Sequence, residues 1–252
     1  IAAYHFATID DPPALAGRIR EWAIAGSLLG TVLVAPEGVN IFLAGAAEAI
    51  ESFLTRLRAV SGLADVQAKY SHSRAQPFGR LKVKVKRELI GFRQGEQADP
   101  LRGRAPAVAP AELARWIKQG ADDAGRPVVL LDTRNREEVD YGTFAGALTL
   151  PIDNFTELPE ALAPHRAALE ESTVVGFCTG GIRCEKAVLW MRAQGMDNAL
   201  QLDGGILGYF EQMGGFGYEG GCFVFDERVA LDPALQPQVD GEASVETAPV
   251  PA

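Results

Sequence analysis

The sequence predicts two consecutive domains, a ferredoxin-like α+β domain followed by a doubly wound α/β domain. Over residues 4–70, strand and helix signals follow one another as βαββαβ. That is the order of an antiparallel sheet with both helices on one face. Beyond residue 110, short apolar strands alternate with helical segments, which is typical of a parallel sheet covered on both faces. A length of 252 residues is sufficient for two domains.

The elements of the first domain follow from local signals in the chain. Pro12 and Pro13 suit the first turn of a helix, and 36–40 contains the proline, glycine and asparagine of a turn. Apolar residues then recur with helical spacing in 48–60. The expected elements are strands 4–9, 30–35, 41–44 and 65–70, and helices 12–25 and 48–60.

A basic strand closes the first domain. In 80–86, Leu81, Val83 and Val85 alternate with lysines and are expected to face inward. The outward side chains either protect a sheet edge or bind phosphates. The window 69–93 carries a net charge of +7, whereas the whole chain carries −9, so the remainder carries −16. This asymmetry favours a polyanion-binding surface, with RNA-binding candidates Lys82, Lys84, Lys86, Arg80 and Arg74.

The second domain is expected to begin after a linker rich in Gly, Pro, Ala and Arg. Its expected strands are 128–132, 148–152, 173–177 and 199–202, with helix 111–120 before them and a further strand-like piece at 220–225. The tail lacks basic residues and is expected to be disordered. The predicted boundaries are 1–93 for the first domain, 94–109 for the linker, 110–213 for the second domain, 214–231 for a C-terminal extension and 232–252 for the tail.

The most informative stretch is a loop between the strand that ends at Phe177 and a following helix. Its backbone N–H groups and the helix dipole favour an anion. A cysteine there, Cys178, is therefore expected to have a lowered pKa and to be a reactive thiolate. The alternative is a buried cysteine that only packs. The candidate anion-binding residues are Thr179, Gly180, Gly181 and Ile182, and Arg183 adds a positive charge.

Composition excludes several classes of protein. Three cysteines without a CxxC pair and three scattered histidines argue against a disulfide framework and a zinc site. The longest uncharged stretch, 22–36, is too short to span a bilayer. The sequence contains no recognisable cofactor motif and no evident signal peptide. We therefore expect a cytoplasmic protein without membrane association, and leave its oligomeric state open.

Three motifs of the second half resemble the rhodanese family. They are Asp132-Thr133-Arg134 with Glu138 and 142–147, the loop Cys178-Thr179-Gly180-Gly181-Ile182-Arg183, and Leu202-Asp203-Gly204-Gly205-Ile206. One departure is Thr143, where rhodaneses usually carry histidine, and it is expected to bear on packing. We expect Asp132 and Arg134 to organise the loop.

A longer resemblance covers most of the chain and is to the bacterial tRNA uridine hydroxylases. It includes Ala35-Pro36-Glu37-Gly38-Val39-Asn40, the extended loop 177–187 and Tyr218-Glu219-Gly220-Gly221-Cys222-Phe223-Val224-Phe225-Asp226. Departures are Ile41, where a glycine is usual, and an altered 88–110 region. The family joins an acylphosphatase-like (ferredoxin-like) domain to a rhodanese-like domain.

The resemblance implies a tRNA-modifying oxidoreductase that converts the wobble uridine to 5-hydroxyuridine, with tRNA as its partner and molecular oxygen as co-substrate. The expected catalytic residues are Cys178, Arg183 and Cys184. Cys184 either resolves an oxidised Cys178 as a disulfide or packs its helix, and Cys222 is expected to pack. Glu185 and Lys186 match the family loop, or they are a solvated helix start. Two alternatives stay open: a sulfurtransferase that carries a Cys178 persulfide, and a non-enzymatic RNA-binding protein.

Overall fold

The computed structural model describes residues 1–238. The final part of the expected tail, 239–252, lies outside the described residues. The N-terminal domain consists of β1 (Ala2–Phe6), α1 (Pro12–Ala25), β2 (Leu29–Ala35), β3 (Gly38–Ala44), α2 (Ala47–Arg58), β4 (Ala68–Lys69) and β5 (Leu81–Val85). The side chain of Asp11 caps α1 by accepting from the backbone N–H of Ala14.

The N-terminal sheet has the strand order β4-β1-β3-β2-β5. The first four strands pair antiparallel, and α1 and α2 pack their apolar stripes on one face, which confirms the ferredoxin-like prediction. Three strands differ from their expected bounds: β1 covers Ala2–Phe6 and not 4–9, β3 begins at Gly38, so the turn is shorter than expected, and β4 has only two residues. The predicted basic strand is present as β5, which joins the sheet parallel to β2.

The face of this sheet that carries no helices is organised in rows across the strands. Tyr4 of β1 pairs with Asn40 of β3, Asn40 pairs with Leu33 of β2, and Leu33 is in register with Lys84 of β5. Paired residues point to the same face. A second row on the same face contains Ala2, Phe42, Thr31 and Lys82.

The basic strand β5 lies at the sheet edge, and one expectation about it is wrong. Val83 is buried as expected, but Val85 is 47% exposed. The strand ends there, beyond the reach of the helices that cover Val83. Lys84 and Lys86 are exposed and Lys82 is half-buried.

The second domain is built on a parallel sheet of order β6-β11-β10-β7-β9. It confirms the doubly wound prediction. Its elements are β6 (Ala107–Val108), α3 (Pro110–Gln119), β7 (Val128–Asp132), α4 (Arg136–Val139), β8 (Gly142–Phe144), β9 (Leu148–Thr149), α5 (Leu158–Leu162), α6 (Arg166–Leu169), β10 (Thr173–Phe177), α7 (Ile182–Ala193), β11 (Ala199–Leu202) and α8 (Gly205–Met213).

The C-terminal extension covers the second domain. β12 (Tyr218–Gly220) pairs with β8, and β13 (Cys222–Phe223) pairs with β14 (Ala230–Leu231). The chain then turns back, and the backbone N–H of Gln238 donates to Ala230. Residues 232–238, the start of the expected disordered tail, are therefore part of the fold. No helix within residues 1–238 is long and apolar enough to cross a membrane.

The segment 94–109, which we interpreted as a linker, is packed against the second domain. Residues 95–98 form a 3₁₀ turn, Ala98 and Ala105 are buried in the same apolar cluster as Trp190 of α7, and β6 joins the parallel sheet. Small residues suit this close packing, and composition alone does not separate it from a flexible linker.

Two consecutive residues of α7 join the domains. Lys186 is buried and its Nζ lies 2.8 Å from Glu37 Oε1 and 3.1 Å from Glu88 Oε2 in the N-terminal domain. Glu185, also buried, accepts a hydrogen bond of 2.9 Å from the hydroxyl of Tyr4 and pairs with Arg104. The interpretation of these residues as a solvated helix start is wrong, because both charges are satisfied across the domain boundary.

We predict that Lys186→Met lowers the free energy of unfolding by about 3 kcal/mol, because it leaves two carboxylates in a largely buried site without their cation. Urea denaturation measures the change. Arg136→Met is the matched control: Arg136 forms an exposed ion pair with Asp153, so its loss should leave stability nearly unchanged. Equal effects of the two substitutions would contradict the interdomain role of Lys186.

Candidate active site

Cys178 is the first residue after β10, in a four-residue loop that ends where α7 begins. Gly181 has a φ of 108°, which disfavours any residue with a side chain, and a Cβ there would lie 2.9 Å from the hydroxyl oxygen of Tyr4. The loop therefore requires glycine both for its own turn and for contact with the N-terminal domain.

The N-terminus of α8 holds this loop from its other side. The backbone N–H groups of Ile206 and Leu207 donate to the carbonyls of Cys178 and Thr179 at 2.9 and 3.0 Å. A Cβ on Gly205 would lie 2.5 Å from the carbonyl oxygen of Cys178, so this glycine permits the close approach. These bonds hold the loop carbonyls away from the sulfur, so that the N–H groups of the loop are free to face the sulfur.

The environment of Cys178 stabilises its thiolate. Burial raises the pKa of this thiol, but the hydrogen bond with Cys184, the positive charge of Arg183 and the backbone N–H groups of Cys184 and Arg183 outweigh burial and lower the pKa to about 5. The backbone N–H of Gly181 also donates to Cys178 Sγ at 3.2 Å. The backbone donors to the sulfur are thus Gly181, Arg183 and Cys184.

The other two cysteines are protonated at neutral pH. Cys184 Sγ lies 4.0 Å from Cys178 Sγ and 3.0 Å from the carbonyl oxygen of Gly181. Burial and the neighbouring Cys178 raise the pKa of Cys184 well above its ordinary value. Cys222 is fully buried in the apolar core beside α8, and burial raises its pKa to about 12.

The guanidinium of Arg183 is directed at a carboxylate and not at the sulfur. Both guanidinium arms pair with Glu138, at 2.5 and 2.6 Å, and both residues are buried. A buried guanidinium needs such a partner. Arg183 therefore acts on the thiol through its charge and its backbone N–H. The first rhodanese motif includes Glu138, but its spacing in the sequence does not show that Glu138 pairs with Arg183.

Lys69 supplies a second positive charge beside the loop. Its Nζ donates to the carbonyl of Gly180 at 3.2 Å and lies 5.8 Å from the centre of the Tyr4 ring. Burial lowers the pKa of Lys69, and the negative charge of Cys178 opposes that effect. In the sequence, Lys69 is only one member of a basic window, because its place beside Cys178 depends on domain docking.

Asp132 and Arg134 organise the base of the loop. They form a buried ion pair, with the Nη2 of Arg134 2.6 Å from Asp132 Oδ2. Thr143, the departure from the usual histidine, donates its hydroxyl to the same carboxylate at 2.8 Å. The backbone N–H and hydroxyl of Thr133 both donate to the carbonyl of Phe177. These contacts fix the end of β10, from which the Cys178 loop begins.

A cavity of about 560 Å³ opens between the two domains at this loop. The helix-free face of the N-terminal sheet forms one wall, with Tyr4, Asn40 and Phe42, and the loop with Cys178 forms another. The size is in the range of small-molecule sites. Within residues 1–238, no cluster of three His, Cys, Asp or Glu side chains has an arrangement that could hold a metal ion.

The basic residues that the sequence suggests for RNA binding lie outside this cavity. Lys82 and Lys84 belong to the rows that end at Ala2 and Tyr4, so they share the cavity-facing side of the sheet. Lys86, Arg80 and Arg74 are exposed on the same part of the chain. The cavity reaches Thr31 and Leu33, the immediate neighbours of the lysines across the sheet.

Comparison with known proteins identifies the family. Residues 1–89 match the model of the UPF0176 acylphosphatase-like domain, and residues 109–212 match that of the rhodanese-like domain. The chain is 67% identical over 242 residues to the tRNA uridine(34) hydroxylase of Xanthomonas campestris pv. campestris (strain 8004), covering 96% of this chain and 95% of that protein. It is 58% identical to the protein of the same name in Xylella fastidiosa (strain 9a5c), and that match covers 95% of this chain and 93% of the relative. The chain belongs to the tRNA uridine(34) hydroxylase family. Its two domains are the acylphosphatase-like and rhodanese-like domains of that family.

Solved structures match less than half of this chain. The human single-domain sulfurtransferase TSTD1 is 31% identical, with a TM-score of 0.35, over 43% of this chain and 97% of that one. The BH2092 protein of Bacillus halodurans is 20% identical, with a TM-score of 0.36, over 46% of this chain and 77% of that one.

We predict that alkylation of Cys178 by iodoacetamide is half-maximal near pH 5, because only the thiolate reacts and lowering the pH through its pKa protonates it. Mass spectrometry of the modified peptide measures the rate between pH 4 and 9. Lys69→Met should move the midpoint to higher pH, since it removes a nearby positive charge, and the exposed Lys118→Met should not. A wild-type midpoint between pH 8 and 9 would show that the loop does not stabilise the anion.

Proposed function

We propose that this protein hydroxylates the wobble uridine of tRNA at C5, with molecular oxygen as co-substrate, and that Cys178 is the residue that activates the base. The observation that carries the proposal is a stabilised thiolate at the wall of an interdomain cavity, in a chain whose relatives are named tRNA uridine(34) hydroxylases over nearly their full length. An anticodon base is unpaired, so it enters such a cavity without the cost of opening a duplex.

Cys178 acts as a nucleophile on the pyrimidine ring. Addition of its thiolate to C6 breaks the C5–C6 double bond and places negative charge on C5 and O4, which makes C5 reactive toward an oxidant. Lys69 stabilises this charge, since its ammonium lines the same cavity. Later elimination of the sulfur from C6 and loss of the C5 proton restore the double bond and release 5-hydroxyuridine.

Cys184 serves as the second thiol of this site. Insertion of one oxygen atom of O₂ into the C5–H bond, with the other leaving as water, requires two further electrons. Oxidation of the two thiols to a Cys178–Cys184 disulfide supplies them: Cys184 takes the outer oxygen of a hydroperoxide formed at C5 and becomes a sulfenic acid, and Cys178, once eliminated from C6, condenses with it to the disulfide and water. One C5–H, one O₂ and two thiols thereby give one C5–OH, one water and one disulfide. The 4.0 Å between the sulfurs supports this role, and an external thiol reductant would regenerate the pair.

The RNA reaches the site across the N-terminal sheet. Three strand spacings separate Tyr4, beside the Cys178 loop, from Lys84 at the sheet edge, a distance of about 14 Å. Phosphates bound at Lys82 and Lys84 therefore lie close enough for a neighbouring base to enter the cavity. Phe225, 59% exposed at the cavity, offers a ring for base stacking.

A persulfide-carrying sulfurtransferase is the second candidate. One observation favours it: the N–H groups that surround Cys178 Sγ suit the terminal sulfur of a persulfide as well as a thiolate. The cavity wall contributed by the N-terminal domain and the RNA-facing lysines have no place in that reaction.

We predict that Cys178→Ser abolishes 5-hydroxyuridine formation without unfolding the protein, because the substitution removes the thiolate and hardly changes the volume. Nucleoside mass spectrometry of tRNA from a deletion strain that expresses each variant measures the product. Cys222→Ser, a buried thiol outside the cavity, is the matched control and should restore the product. Full product with a folded Cys178→Ser protein would exclude the thiol as catalyst.

We also predict that replacing Lys82, Lys84 and Lys86 together by glutamine weakens tRNA binding, most strongly at low salt. Each lost phosphate contact removes the release of one counterion, so the slope of log affinity against log salt should flatten by about 0.7 to 0.9 per lysine. The control is Lys118→Gln, on the surface of α3. If affinity and slope stay unchanged, these lysines only protect the sheet edge.

A further inference from the structure

Asn40 is a buried polar residue whose side chain the fold leaves without a protein partner. It is 9% exposed, and among the described residues its carboxamide forms no hydrogen bond. It belongs to the Ala35–Asn40 motif, whose turn the fold explains, but β3 has no structural need for an amide at this position. Solvent in the adjoining cavity is therefore the remaining partner of this amide, and a ligand that displaces the solvent has to satisfy it.

The position of Asn40 shows where its partner would come from. Its side chain lines the interdomain cavity that also contains Cys178. Its neighbour across the sheet is Tyr4, whose hydroxyl donates to Glu185 of α7 and lies against Gly181 of the loop. Directly paired side chains of adjacent strands lie about 5 Å apart. The carboxamide therefore lies one strand away from the wall that carries the sulfur.

The flanking residues restrict the kind of group that fits there. Leu33, on the other side of Asn40, and Phe42, in the adjacent row, are apolar. A flat ring with one polar edge satisfies the amide and also covers these apolar side chains. A phosphate or a ribose would leave the apolar surface exposed to water.

We propose that Asn40 recognises the target uracil through its imide edge: Oδ1 accepts from N3–H, and Nδ2–H donates to the adjacent carbonyl oxygen. This inference rests on the proposed function, since it assigns a substrate contact at the same site. A carboxamide offers one acceptor beside one donor, which matches the N3–H and C=O of uracil.

This contact also orients the ring for reaction. In uracil, the C5–C6 bond lies on the side of the ring opposite the imide edge. A base held at Asn40 by that edge directs C5 and C6 away from the N-terminal sheet, into the part of the cavity where Cys178 lies. The N-terminal domain thereby holds the base and the rhodanese-like domain supplies the nucleophile.

A chemical double-mutant cycle tests the contact. Anticodon stem-loop RNAs carry either uridine or N3-methyluridine at the wobble position, and their affinities for the full-length wild type and Asn40→Ala are measured without oxygen, so that no base is consumed. In the wild type the methyl group blocks the edge and should weaken binding about 10- to 100-fold, because it leaves a buried amide unsatisfied. In Asn40→Ala the same methyl group should weaken binding less than about 3-fold, because neither donor nor acceptor remains.

Two controls keep the result decisive. Asn154→Ala removes another carboxamide at the cavity, one that donates to Glu157, and should retain the full wild-type effect of N3-methylation. Asn40→Ser, with a smaller change of polarity, replaces Asn40→Ala if the alanine variant does not fold. Cytidine is a poorer probe than N3-methyluridine, because a rotated carboxamide also pairs with the edge of cytosine.

An N3-methyl effect that is absent in the wild type, or of equal size in Asn40→Ala, would overturn the assignment of Asn40. Failure of the proposed function has a different signature: tRNA from the deletion strain would contain as much 5-hydroxyuridine as tRNA from the parent strain, whatever the binding cycle shows.

Discussion

A negatively charged sulfur in the protein interior must be compensated by donors and positive charge that are themselves buried. At Cys178 the compensation comes from the loop N–H groups, the Cys184 thiol and the charge of Arg183. Arg183 in turn requires Glu138, which pairs with both of its arms. The Cys178 loop and Glu138 of the first motif therefore form one electrostatic unit, and a change in either would move the pKa of Cys178.

The same loop determines how the two domains dock. Gly181 is in contact with Tyr4, and the next turns of α7 place Glu185 and Lys186 against residues of the N-terminal domain. Because the nucleophile and the docking charges are within nine residues of one another in sequence, the sheet that faces the thiolate is held in a fixed position relative to it. The cavity is lined by residues of both domains, so a rhodanese-like domain alone would lack the wall that the N-terminal sheet contributes.

Local patterns predicted most of the fold and part of the site. The bounds of β7, β10 and β11 followed from short apolar runs, and the thiolate followed from the glycines and the helix start after Cys178. Three features of the site could not be predicted from local patterns, since each depends on a contact between segments far apart in the chain. They are the partner of Arg183, the position of Lys69 beside the loop and the burial of Lys186. Strand alternation predicts that Val85 faces inward, but it does not show where the covering helices end. In the sequence, Asn40 is only one residue of a motif, because burial without a protein partner is visible only in three dimensions.

In the proposed reaction, both domains together hold the wobble uridine against Cys178. A crystal structure of the full chain with an anticodon stem-loop RNA, obtained without oxygen, tests it most directly. We expect the uracil ring inside the interdomain cavity, with its imide edge at Asn40, its C5–C6 bond toward the sulfur of Cys178 and the flanking phosphates near Lys82 and Lys84. An RNA bound elsewhere on the protein, with its wobble base outside this cavity, would contradict this arrangement.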